Sequence, residues 1–192
     1  MKMRARAERI AIMAGLLLAG SAARATTLLR MSVEEMARAS QEIVRARCTG
    51  TATRWDAGEI WTFAAFEVEE TWRGPAAAQV TVRLLGGRAG DLTSRVSGVP
   101  RFQPGEEVVL FLERTPRGDF SVVSWEQGTF RVRRDRRGGA GALERVTQDT
   151  AAFSTFDPGT RRFEASGIRN MPVEDLRARV DAALGSEKGG RR

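Results

Sequence analysis

The chain has no histidine and no tyrosine, and only two of its 31 basic residues, Lys2 and Lys188, are lysine. The missing histidine excludes Ser-His and Cys-His nucleophilic sites and histidine-bearing metal sites. Ser-Lys catalysis would depend on Lys188 in a glycine-rich tail, and no G-x-S-x-G elbow is present to expose a serine. Cysteine occurs once, as Cys48, so no internal disulfide can brace the fold and a packed core must do so. Long apolar runs are also missing. The best candidate, residues 10 to 20, falls well short of the roughly 20 residues a transmembrane helix needs.

That short run sits in a familiar arrangement. Lys2, Arg4, Arg6 and Arg9 precede it, and Ala23 and Ala25 follow as an A-x-A site. A cationic segment, an apolar segment and small residues at a cleavage point predict a signal peptide over residues 1–25, cut between Ala25 and Thr26. The expected location is therefore the periplasm or the medium, with no membrane span once the leader is removed. Cleavage also changes the charge. The leader carries five basic residues and one acid, so the formal +7 of the whole chain falls to about +3. Lys188, Arg191 and Arg192 hold the remainder, and residues 26–187 balance at 23 basic and 23 acidic groups. The basic character belongs to the ends, which argues against nucleic acid as a partner.

Between the ends the pattern is mainly β. Ser32 and Glu35 form a capping box that opens a short helix, VEEMARAS. Residues 43–55, 59–72, 79–85, 106–114, 119–125 and 128–134 are rich in Val, Thr, Phe and Trp and are bounded by turn residues, which predicts strands. Val108 to Leu112 is continuously apolar and reads as a central strand. In the second strand the apolar face changes between Trp61, Phe63 and Phe66, Val68, which predicts a bulge or strong coiling there. Val44, Ala46 and Cys48 alternate with Ile43, Arg45 and Arg47, placing the cysteine on an apolar strand face as a small hydrophobe. A small closed or nearly closed barrel of five to six strands accommodates this pattern. Residues 26–134 form the core with its leading helix, and 135–171 form an irregular extension in which LERVTQ can add a strand. Pro172 opens a second helix over 172–184, closed by Gly185, and 185–192 read as a basic flexible tail.

Three groups of residues are candidates for function. The long stretch from Gly86 to Gly105 lacks periodicity, and its Arg88, Asp91, Arg95 and Arg101 form a candidate binding rim. Its GGRAG lacks the Lys-Thr or Lys-Ser ending of a phosphate loop. Arg131, Arg133, Arg134, Arg136 and Arg137 form a candidate basic patch for an anionic polymer or, less favoured, nucleic acid. Glu67 and Glu69 project from one strand face about 7 Å apart, near the separation used in glycoside hydrolysis, although alternating glutamates also describe a solvated strand. Thr26 with its own amine is the other conceivable nucleophile. No cofactor is expected.

The runs VEETWRG (68–74), VTV followed by glycines, RFQPGEEVVLFL (101–112) and WEQGTFRV (125–132) occur in an order that resembles an uncharacterised group of exported bacterial β domains. That group is similar to the netrin-like, tissue-inhibitor-of-metalloproteinase modules of the OB-fold. The resemblance covers about residues 32–134 and implies a five-stranded OB-like barrel that binds proteins or ligands. The inhibitors chelate a protease zinc through an N-terminal cysteine braced by disulfides. This chain would begin at Thr26 and has no cysteine pair, so that mechanism does not carry over. The expectation is a non-enzymatic exported module that contacts an extracytoplasmic protein or an envelope polymer through its loops, with a Glu67/Glu69 hydrolase as the alternative.

Overall fold

A computed structural model describes residues 28–134, 143–149, 154–164 and 167–189. The expected leader, its Ala25–Thr26 cleavage point, Arg136 and Arg137 lie outside the described residues. In chain order the elements are β1 (Leu28–Leu29), α1 (Val33–Ala39), β2 (Glu42–Asp56), β3 (Glu59–Arg73) and β4 (Gln79–Leu85). There follow β5 (Gly87–Ala89), β6 (Leu92–Ser94), β7 (Glu107–Arg114), β8 (Phe120–Val122), a single 3-10 turn at Trp125–Gly128 and β9 (Thr129–Arg134). The chain continues through β10 (Glu144–Thr147), β11 (Thr155–Asp157), β12 (Arg162–Glu164) and β13 (Met171–Pro172) to α2 (Val173–Gly189).

The main sheet runs β13-β10-β9-β7-β2-β3-β4-β8. It bends back on itself because β8 lies parallel to β4 at Val82 and Phe120 and also pairs antiparallel with β7. Five strands, β7-β2-β3-β4-β8, thus form a ring. Long strands curl this tightly only with local irregularity, and the β2–β3 pair has it. Its register slips at Ile43/Val44, at Arg45/Ala46 and at Cys48/Gly50.

The ring's interior is filled by one alternate set of side chains from each strand, including Val44, Ala46 and Cys48 of β2, Ala64 and Phe66 of β3, and Val108, Leu110 and Leu112 of β7. Phe66 meets Phe102 edge to face at 4.9 Å. The opposite face of β7, through Val109 and Phe111, packs under α1 and α2 with Ile43, Trp72 and Leu176. Strand β7 is therefore buried on both faces, which is why its sequence shows no alternation. Helix α1 has the capping box of Ser32 and Glu35, and Arg179 of α2 clasps Glu34 at 2.8 and 2.9 Å.

Several expectations need correction. The sheet system exceeds five to six strands, because β9, β10 and β13 extend the ring's sheet and two small sheets, β1-β11-β12 and β5-β6, are added. The extra strand allowed at LERVTQ is present as β10, and the stretch beyond it, expected as turns, also contains the β11–β12 hairpin. The fifth expected strand, 119–125, is cut to three residues because Ser124 and Trp125 both have positive φ and break the ladder. The apolar face of β3 does not switch at 63–66. Ile60, Ala64 and Phe66 share one face, while Trp61 and Phe63 lie outside under the guanidinium groups of Arg83, at 3.9 Å, and Arg54, at 4.0 Å. Helix α2 passes through Gly185 rather than ending there; a mid-helix glycine costs only about 1 kcal/mol. No helix among the described residues is long and apolar enough to cross a membrane.

Candidate binding groove

A groove of about 800 Å³ runs between the loop that follows β6, the 3-10 turn, β9 and the segments after β10 and before β13. Its floor begins with strained backbone. Ser124 and Trp125 take φ of 51° and 55°, a left-handed pair that non-glycine residues adopt only when their surroundings enforce it. The enforcing contact is the loop. The Glu126 N–H donates to the Gly98 carbonyl at 3.0 Å, and a side chain at Gly98 would press on Leu28 and Trp125. Gly128 is equally constrained, since any Cβ there would strike the Val123 carbonyl.

This turn places the Glu126 carboxylate in the floor, only 5 % exposed. Arg131 of β9 donates to it, and the same guanidinium reaches the Arg101 carbonyl at 3.2 Å and Glu106 at 3.6 Å. Burial pushes the Glu126 carboxyl up to about 6, against the pull of Arg131, and the nearby charges of Asp149 and Glu106 push the same way. Two buried amides knit the floor to its surroundings. Gln148 donates to the Gln127 carbonyl and accepts from the Ile168 N–H at 2.7 Å, while Gln127 donates to the Leu29 carbonyl at 2.8 Å and accepts from the Met31 N–H at 3.0 Å.

The walls are basic. Arg95, Arg101, Arg133 and Arg169 line the groove, are exposed and make no ion pair among the described residues. The expected rim and the expected basic patch therefore meet in one place: Arg95 and Arg101 from the rim face Arg131 and Arg133 from the patch. Not every candidate joins them. Arg88 and Asp91 sit on the exposed β5–β6 hairpin, where the Arg88 Nε donates to the Gly90 carbonyl at 3.1 Å. With Arg95 and Arg101, Arg88 lines a second pocket of about 360 Å³ at the mouth of the ring, beside Thr51, Thr53 and Phe102. Arg134 turns the other way and pairs with Glu144 at 2.6 Å and Glu107 at 3.3 Å. Arg169, Glu126 and Gln148 were not singled out by the sequence, because nothing local marks three separated residues as neighbours.

Glu67 and Glu69 are exposed on β3, and a bulge leaves Glu69 without a cross-strand partner between the pairs Arg45–Glu70 and Ala46–Val68. Glu69 is held by Arg47 at 2.8 Å and lies 3.7 Å from Arg45. Arg45 is the hub of this surface: buried at its base, it also pairs with Glu107, with Glu144 at 2.8 Å and with Glu70 at 3.3 Å, and Arg177 ties Glu70 to α2 at 2.7 Å. Cys48 is buried in the ring interior, and burial raises its thiol pKa. Among the described residues no three carboxylate or cysteine side chains come together as a metal-binding group. Compared with known proteins, the chain matches no family profile and no curated sequence.

Proposed function

We propose that this chain is a non-enzymatic exported binding module whose partner, an extracytoplasmic protein or an envelope polymer, seats in the arginine-walled groove. The observation that carries the reading is the convergence of Arg95, Arg101 and Arg133, from two distant segments, on one groove with Arg169, none of the four in an ion pair among the described residues. Guanidinium groups outside any ion pair are free to give an arriving anion charge-assisted hydrogen bonds. The floor supports the same reading, because backbone strain held by a docked loop is a feature of sites organised in advance for a ligand.

An OB-like arrangement is supported by the ring itself. Three consecutive antiparallel strands, β2, β3 and β4, are followed by β7, which returns to β2, and by β8, which closes the ring parallel to β4. The long connection from β4 to β7 lines both the groove and the ring mouth, where Thr51, Thr53 and Thr62 of β2 and β3 join it. The test is retention of the native partner. The chain and the variant Arg95→Glu/Arg101→Glu/Arg133→Glu are each recovered from the envelope fraction with whatever they hold. Loss of bound material in the variant, with the same thermal midpoint, is the expected result; equal retention overturns the assignment.

A further inference from the structure

The groove's lining limits what can fill it. Among the described residues that line it there is no aromatic side chain, Trp125 lying behind Gly98, and the sizeable apolar groups are Val96 and Val99. Protein interfaces draw their affinity from buried aromatic and aliphatic anchors, and single-stranded nucleic acid from stacked rings; this groove offers neither. It offers guanidinium groups from three directions: Arg95 and Arg101 on the loop, Arg131 and Arg133 on β9, and Arg169 before β13.

Arg131 differs from the others. It is held at the floor by the buried Glu126 carboxylate, so its anion position is already occupied by an internal group. We propose that the groove takes an oxyanion-bearing polymer, a chain of carboxylate, sulfate or phosphate groups, with Arg101, Arg133 and Arg169 holding successive groups and one group displacing Glu126 from Arg131. This rests on the reading of the groove as the partner site.

Displacement leaves a carboxylate buried without its cation, and the cheapest remedy is a proton. The charged groups lining the groove around Glu126 are Arg131 from β9, Glu106 from the segment before β7, Asp149 after β10, Arg95 and Arg101 from the loop, Arg133 from β9 and Arg169 before β13. Burial, with the charges of Asp149 and Glu106, holds the Glu126 pKa up at about 6 against the pull of Arg131. Polymer binding is therefore coupled to proton uptake. If only the protonated form admits the polymer, the competent fraction, and with it the affinity, rises about twentyfold from pH 7.5 to pH 5.5. With no histidine in the chain, no other side-chain class has its ordinary pKa in that window.

The experiment titrates the full chain with dextran sulfate, polygalacturonate and polyphosphate at pH 5.5 and 7.5. Dextran sulfate keeps its charge throughout, so its pH dependence reports on the protein alone; the tighter of the other two identifies the preferred group as carboxylate or phosphate. The expected results are tightening toward pH 5.5 for the chain, tight and pH-independent binding by Glu126→Gln, and a loss of about tenfold or more in Arg133→Glu/Arg169→Glu. The exposed pair Arg38→Glu/Arg54→Glu carries the same charge change outside the groove and the ring mouth and is expected to bind much more tightly than the groove variant. Persistence of the pH dependence in Glu126→Gln, equal weakening by the two charge-reversed pairs, or failure of all three polymers to bind overturns the proposal. A protein found seated in the groove by an independent method, with no polymer bound, would overturn the polymer assignment and leave the partner site standing.

Discussion

Replacing Glu126 with glutamine removes a carboxyl group whose pKa is raised to about 6, the one so raised among the described residues, and stability should report the loss. In the unfolded chain this carboxyl has its ordinary value near 4.5. Between the two values the folded state binds more protons than the unfolded state, so stability falls as pH rises through about 4.5 to 6 and is level above that. A raise of about one and a half units corresponds to roughly 2 kcal/mol across the window. Other groups act in the opposite sense at lower pH. Glu34, hydrogen-bonded by Arg179, and Asp157, hydrogen-bonded by the Thr160 and Gly159 N–H groups, have lowered pKa values, so their contribution is present above the unfolded value and lost as pH falls below it. The native chain should therefore be most stable near about pH 5. Urea unfolding at half-unit steps from pH 4.5 to 7.5 measures this directly, with the Glu126→Gln variant flat where the native chain declines. Parallel curves for the two proteins, or native stability that rises with pH through the window, would refute the reasoning.

Arg45→Met strips the buried Glu107 of its closest cation, leaving it Arg47 at 3.2 Å and Arg134 at 3.3 Å, and should cost about 1–3 kcal/mol by denaturant unfolding, whereas Glu69→Gln, on an exposed partner of the same arginine, should cost under about 1 kcal/mol. Phe66→Ala opens a cavity inside the ring beside Phe102 and should cost about 3–5 kcal/mol, also by denaturant unfolding. Cys48, buried with a raised thiol pKa, should react with a thiol reagent only at the rate of unfolding, so a fast reaction in native buffer would contradict its placement.

The elements were legible wherever a strand or helix carries its own local signal. The capping box at Ser32 and Glu35, the alternation of Val44, Ala46 and Cys48, and the unbroken apolar run of β7 each encode a relation to solvent that survives into the fold. Arg83 shows where such signals end. Its alternation reads as solvent-facing, yet it is buried between Trp61 and Asp56, because a guanidinium can be covered when a ring and a carboxylate receive it. The groove was half visible: arginines in two segments stood out, but their meeting depends on the turn at Ser124 and Trp125 and on a loop docked 26 residues earlier in sequence, at Gly98. Glu126 gave no signal, since its raised pKa arises from burial that only the assembled loop creates. The same holds for the return of β8 onto β4, a long-range pairing made by a strand of three residues.

The most direct test of the groove as the partner site is a crosslinking map. A photoreactive group is attached at Ser97→Cys, in the groove wall, and at Asp181→Cys, on the exposed face of α2, with the native Cys48 remaining buried. Illumination of the intact producing cells should yield an adduct from Ser97→Cys that disappears when Arg101 and Arg133 are reversed to glutamate, and none from Asp181→Cys. An adduct from Asp181→Cys alone, or one from Ser97→Cys that survives the charge reversal, would contradict the account.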